Sequence, residues 1–483
     1  MVVTSERQPL LGDQQHEDQG SETAIHDPAQ DTPIQSTWTS EYRIVMSYSF
    51  PLIGTYLLQY VFQMVIVLVA SRLSTNELAG VSLGITTSNI IGFALFEGMA
   101  TALDTLCSQA WGAGQPRMVG MHCIRFIIFI HLVAIPIALL WALSPQLLRA
   151  VLPEEGLAEQ AGIFLRVSIL GIPGYATFET GKRFMQAQGN FNAGLVVLIL
   201  CVPISAALNY LFVFYLQWRV GGAAMAAALV NAVRPFLLAG YVFLVDRGSL
   251  QCWPTALDKQ LLSGWGDMVR LSIPGALMTL SEWLSFEILT FATSYVSTAE
   301  LAAQTFLSVT IILVWHIPFS TSVAASTRIG HLVGGGLIDT AKRVAAWYTW
   351  LFLGFGVLNI GLSVAIIAGI VRYLAMGDDV RMATGSATAF VALFCFFDST
   401  SSWAHGIIRG LGWQGIGGWI TMCVNYLFAV PLALGLLLGP AQMGVKAIYL
   451  GLGIGLGVMT VIEAVVLHLR TWLRTETEED ALS

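Results

Sequence analysis

Apolar residues in this chain come in long unbroken runs, and polar residues gather in the short segments between them. Runs long enough to cross about 30 Å of hydrocarbon lie near residues 44–70, 79–103, 119–143, 158–180, 194–217 and 221–245. They continue near 267–294, 301–325, 345–370, 384–408, 416–438 and 446–469. The runs are continuous rather than alternating, which disfavours a lipid-facing barrel. The pattern predicts an all-α membrane protein of twelve transmembrane helices. It also sets the expected organisation: a disordered tail over 1–43, a six-helix lobe over 44–245, a linker over 246–266, a second six-helix lobe over 267–470 and a tail over 471–483.

The two lobes echo each other. Ser49-Phe50-Pro51 returns as Ser272-Ile273-Pro274, and Ser74-Thr75-Asn76-Glu77-Leu78-Ala79 as Ser297-Thr298-Ala299-Glu300-Leu301-Ala302. Trp111-Gly112-Ala113-Gly114 returns as Val333-Gly334-Gly335-Gly336, and Gln188-Gly189, after Arg183, as Leu411-Gly412, after Arg409. The offsets are 223, 223, 222 and 223 residues, so the chain is an internal duplication. Each half has an even number of spans, so both halves enter the bilayer in the same direction. The predicted fold is two pseudo-symmetric six-helix bundles around a central cleft, related by an axis along the membrane normal.

Composition sharpens this picture. Only 11% of the 483 residues are charged, against about 25% in a soluble domain, and mean hydropathy is +0.71. The net charge of −7 comes from the tails, because residues 44–469 hold 19 bases and 18 acids. A nearly neutral body excludes a nucleic-acid partner. The six cysteines form no C-x-x-C pair and read as small buried hydrophobes. With the N-terminus on the cytoplasmic side, that side receives fifteen Lys/Arg and the other seven. The positive-inside rule therefore places both termini in the cytoplasm.

Acids inside lipid-embedded helices are the candidate chemistry. The seventh span carries Glu282 and Glu287 in an apolar and aromatic stretch. Five residues of helix put them about 140° apart, too far for a tight carboxylate pair. The equivalent first-half positions are Gln59 and Met64, so the duplication placed these acids in one lobe only. Asp398 lies deep in the tenth span, and Glu300 opens the eighth. A carboxylate shielded from water exchanges its proton for a cation when one arrives, which couples proton flux to cation movement. Gln59, Trp283, Phe286, Trp315 and Trp403 are candidate cleft residues, the aromatics for cation–π contact. Each acid also has a packing alternative, and Glu300, repeated as Glu77, has a helix-terminal one. Glu97, Asp104, Glu179 and Glu463 read as structural, and His131, His316 and His405 as core histidines.

There is no G-x-x-x-x-G-K-[ST] loop for ATP, no regular arginine series for voltage sensing and no H-E-x-x-H for a metal. No cofactor or metal is expected. Gradient-driven transport remains, and an enzyme is not indicated.

The residues then resemble a known family, the multidrug and toxic compound extrusion (MATE) transporters in their eukaryotic branch. The resemblance is carried by the segment from Ala102-Leu103-Asp104-Thr105 to Trp111-Gly112-Ala113-Gly114, by Gln186-Ala187-Gln188-Gly189 and by Glu282-Trp283-Leu284-Ser285-Phe286-Glu287. Val323-Ala324-Ala325-Ser326-Thr327-Arg328-Ile329-Gly330 and Arg409-Gly410-Leu411-Gly412-Trp413-Gln414 extend it, so that it covers about residues 44–470. It implies a V-shaped cleft and export of organic cations or amphipathic compounds in exchange for H⁺, with Na⁺ the less favoured coupling ion. It also implies functional acids at Glu282, Glu287, Glu300 and Asp398, the last an Asp where the family has Glu. Many prokaryotic members carry an acid in the first helix, where this chain is apolar near Ile66.

Glu6-Arg7-Gln8-Pro9-Leu10-Leu11 resembles an acidic dileucine signal, in which Glu6, Leu10 and Leu11 would engage a clathrin adaptor. The expected location is the vacuolar or lysosomal membrane or the plasma membrane, with the protein a monomer in the bilayer. Two rival functions stay open. One is a lipid or lipid-linked-sugar flippase, which needs a basic cleft, and the other is a non-transporting receptor or scaffold.

Overall fold

A computed structural model of the chain describes residues 36–151, 155–254, 261, 263–374 and 376–480. The chain divides into Met1–Thr37, of which only 36–37 are described, and a body, Trp38–Ser483. The sorting-signal residues Glu6, Leu10 and Leu11 lie outside the described residues.

The first half of the body is built from α1 (Trp38–Ala70), α2 (Thr75–Gly112), α3 (Pro116–Ala142), α4 (Gly156–Ala187), α5 (Asn192–Tyr215) and α6 (Arg219–Leu244). The second half has α7 (Trp265–Thr293), then α8 (Thr298–Gly334), α9 (Ile338–Tyr373), α10 (Asp378–Leu411) and α11 (Gln414–Leu438). It closes with α12 (Lys446–Asp480). No strand occurs among the described residues. Eleven of these helices are long and apolar enough to cross a membrane. The twelfth, α7, is as long at 29 residues but falls short in hydropathy, and it is the helix that carries Glu282 and Glu287. It packs against α2 on one side and α11 on another.

Two ends differ from expectation. Helix α1 starts at Trp38, inside the segment expected to be tail, because Glu41 is buried against Arg328 and the Tyr42 hydroxyl donates to the Trp347 carbonyl at 2.9 Å. Helix α12 likewise runs on to Asp480, beyond the expected end of the lobe. In the linker, Cys252 is buried, with its carbonyl against Gly120 of α3. Burial and the nearby Asp246 push its thiol up to about 11, so it stays neutral. The cysteines are free, and Cys423 alone among them is exposed.

The repeat is visible in three dimensions. Pro51 and Pro274 sit inside α1 and α7, where a membrane helix tolerates them. Ser74 caps α2 in a capping box with Glu77, and Ser297 accepts from the Glu300 backbone at the start of α8. The matching ends of α2 and α8 meet. A Cβ on Gly112 would lie 2.1 Å from the His331 carbonyl oxygen, and one on Gly334 would lie 2.0 Å from that of Gln109. Lipid supplies no hydrophobic drive between helices, so small residues that admit a close backbone approach carry this contact. The pseudo-two-fold axis passes between these two glycines.

Around them the lobes are joined. Arg328 of α8 donates to both Glu41 oxygens at 2.6 and 2.7 Å, Gln109 donates to the Gly410 carbonyl at 3.0 Å, and Gln414 donates to Thr105 Oγ1 at 2.8 Å. Val45, Leu52 and Tyr56 of α1 share an apolar cluster with Val323 and Ile329 of α8 and Tyr348 and Phe352 of α9.

Candidate functional site

A cavity lies between the lobes. The first lobe lines it with Glu97 and Thr101 of α2 and Arg183 of α4. The second contributes Glu282 and Trp283 of α7, Trp315 and Phe319 of α8, and a stripe of α10. That stripe is Asp398, Ser401, Ser402, His405 and Arg409, spaced at one and two helical turns so that all face one way. Trp315 and Phe319 stack with ring centroids 4.2 Å apart, one turn apart on α8, and give the cavity an aromatic wall.

The charged groups on the two sides are neutralised differently. On the first-lobe side Arg183 Nη1 donates to both carboxylate oxygens of Asp104 at 2.7 Å, with both side chains buried. Lys182 reaches Glu179 at 2.7 Å, also fully buried, and lies 4.8 Å from the centroid of the Tyr56 ring. On the second-lobe side the ionisable partner of Glu282 among the described residues is an imidazole: His405 Nδ1 stands 3.3 Å from Glu282 Oε1. The other ring nitrogen, Nε2, stands 3.2 Å from Glu463 Oε1 of α12. Arg409 Nη2 donates to Ser322 Oγ at 2.7 Å, and its guanidinium lies 5.9 Å from the Phe319 ring centroid. Asp398 has no ion pair among the described residues and opens onto the cavity.

Of the residues singled out from sequence, the cavity brings together Glu282, Asp398, Trp283 and Trp315. The others lie elsewhere. Glu287 is exposed on the far side of α7, consistent with the 140° separation about the helix axis. Glu300 accepts the Val445 backbone N–H at 2.7 Å and so docks the start of α12. Glu77 in the first lobe holds Arg219, at the start of α6, in the same way. These contacts set Glu300 at a helix start, outside the cavity lining. Phe286 packs edge-on against Phe394 at 5.5 Å, Trp403 donates its indole N–H to the Ala345 carbonyl at 2.9 Å, and Gln59 donates to Glu179 at 3.1 Å. Each is held by a partner outside the cavity lining. Proximity in sequence to an acid was the wrong guide for Phe286 and Trp403, because helix rotation turns neighbours to different faces.

Two residues read from sequence as structural belong to this region instead. His405 joins Glu282 to Glu463, and Glu97 faces the cavity from the opposite lobe. The signal for His405 was present: it stands seven residues, two turns, after Asp398 on one face of α10.

A protein-family model described as MatE matches residues 51–211 and again 274–434, two segments offset by the repeat length. The uncharacterized transporter YDR338C of Saccharomyces cerevisiae is 36% identical over 467 residues, which is 92% of this chain and 65% of that relative. The chain thus spans just under two thirds of that relative's own length. Multidrug and toxin extrusion protein 2 of Mus musculus is 28% identical over 385 residues, 79% of this chain and 66% of the mouse protein. The crystal structure of the eukaryotic MATE transporter AtDTX14 superposes with a TM-score of 0.83 at 25% identity, covering 89% of this chain and 96% of that one. A duplicated family match, a shared fold over nine-tenths of the chain and eleven apolar membrane-length helices agree: this chain is an integral multi-pass membrane protein that belongs to the MatE family of transporters.

Proposed function

We propose that this transporter is a secondary active exporter of organic cations or amphipathic compounds, exchanging them for H⁺ by alternating access between its two lobes. The observation that carries this reading is the placement of Glu282 and Asp398 in one interlobe cavity walled by Trp283, Trp315 and Phe319. A carboxylate there binds either a proton or an organic cation, and aromatic faces favour the cation. Loading one ligand displaces the other, which is the elementary step of antiport. The extrusion of toxic compounds in the name of the mouse relative supports this substrate class. Arg183 is neutralised by Asp104, which leaves Arg409 against Glu97, Glu282 and Asp398 in the cavity wall, and this excess of acids weighs against an anionic lipid headgroup as the cargo. With both termini cytoplasmic and Glu6, Leu10 and Leu11 read by an adaptor, exchange at an acidic vacuole or lysosome would load compounds into the lumen. At the plasma membrane it would expel them.

The test is uptake of ethidium, a fluorescent organic cation, into proteoliposomes under imposed pH or Na⁺ gradients. Uptake should follow the pH gradient and be lost in Glu282→Gln and in Asp398→Asn, with a smaller effect of Glu287→Gln. Uptake driven by Na⁺ alone, or indifferent to all three substitutions, would overturn H⁺ exchange at these acids.

A further inference from the structure

Glu463 is an acid that the proposed exchange does not use. It sits on α12, fully buried, two turns beyond Leu456, which lines the cavity. It is not in the cavity wall. Neither of its carboxylate oxygens has a hydrogen-bond partner among the described residues, and neither has His405 Nε2, which stands 3.2 Å from Oε1. A buried carboxylate with no permanent cation beside it is costly, and what faces it is one nitrogen of an imidazole whose other nitrogen faces Glu282.

The bonding of such a bridge limits its protonation. A neutral imidazole has one donor and one acceptor nitrogen, and an imidazolium has two donors. Carboxylates flank both nitrogens of His405, so both contacts can be hydrogen bonds only when the three groups together hold at least two protons. These rest on the two ring nitrogens, or one on the ring and one on a carboxyl. Losing one proton sets a bare nitrogen against a carboxylate oxygen. The remaining charged groups around the ring are Asp398 and Arg409 on its own helix, and Glu97 and Arg183 across the cavity.

We propose that Glu463 is a positioning residue for the cation site: through His405 it holds a proton at the back of Glu282, and so sets the pH at which Glu282 passes from proton to substrate. This rests on the H⁺/cation exchange reading above. Glu463 does not itself touch the substrate. Proton movement within the bridge is conservative. The proton that leaves Nδ1 passes to Glu282 while Nε2 keeps its proton toward Glu463, and no other reactant is needed.

The experiment is the pH profile of ethidium exchange and binding in the full-length protein, for wild type, Glu463→Gln, His405→Gln and the double variant. Removing the buried anion lowers the proton affinity of the bridge. The Glu463→Gln profile should therefore move to lower pH by about 1–3 units, with affinity at alkaline pH little changed. In the His405→Gln background the same substitution should move the profile by much less, because the path to Glu282 is gone. If Glu463→Gln does not assemble, Glu463→Asp keeps the charge but withdraws it, and a smaller shift in the same direction is expected. An unmoved profile in whichever of these two variants assembles, or an equal shift with and without His405, overturns the inference. A wild-type profile that is flat with pH overturns the exchange reading itself, so the two failures are distinguishable.

Discussion

The two lobes descend from one duplicated unit, yet they neutralise their buried acids with different chemistry. In the first lobe Asp104 is held by Arg183 and Glu179 by Lys182. The Arg183 guanidinium keeps its charge across the physiological range. In the second lobe Glu282 and Glu463 share His405, an imidazole that can take up or give off a proton. Glu97 is the exception in the first lobe, an acid that faces the cavity without an ion pair among the described residues. The same helical frame thus pairs the buried acids of one lobe with cations and sets an imidazole between those of the other. The proposed exchange would use this asymmetry, with one part staying while another loads and unloads.

The comparison can be broken hardest in the first lobe. Asp104→Asn leaves the Arg183 guanidinium buried without its counter-charge and is expected to destabilise the protein by about 3–5 kcal/mol. Thermal unfolding of the purified protein in detergent measures this, and no loss would mean that the pair is not structural. Next comes the contact on the pseudo-axis. Gly112→Ala places a Cβ 2.1 Å from the His331 carbonyl oxygen and is expected to cost about 1–3 kcal/mol. Gly354→Ala, with nothing within 4 Å, is the control that should leave the melting temperature unchanged.

In the second lobe, His405→Lys sets an ammonium between Glu282 and Glu463, where the two carboxylates favour its charged form. It should remove the imidazole's step from the pH profile of exchange while preserving the fold. A profile that keeps this step would show that the imidazole is not the titrating element. The smallest effects are expected where the two lobes are alike. Ser74→Ala and Ser297→Ala each remove a helix cap, worth about 1 kcal/mol, and both should lower stability without moving the pH profile. A pH effect of Ser297→Ala alone would return Glu300 to the coupling machinery.

Much of this was legible along the chain, and the illegible part has one cause. Eleven spans could be read from hydropathy, because a lipid-exposed surface must be apolar over a fixed length. The twelfth, α7, also read as a long apolar run, and its match to α1 supported it, although its acids pull its hydropathy below that of the others. Glu282 and Asp398 stood out as acids in apolar runs, and the cavity contains both. Phe286, Trp403 and Gln59 were chosen by nearness in sequence or by repeat position, and packing turns each of them to another partner. His405 and Glu463 were passed over because neither is informative until α10 and α12 are side by side.

The amino-acid sequence by itself determined the membrane class, the helix count, the duplication and the confinement of the seventh-span acids to one half, all of which are properties of spacing and composition along one dimension. Only the tertiary structure decided which charges are partnered. An ion pair between Asp104 and Arg183, 79 residues apart, or an imidazole held between helices α7 and α12, depends on rotation and register of whole helices. Those are set by the packing of many small side chains at once.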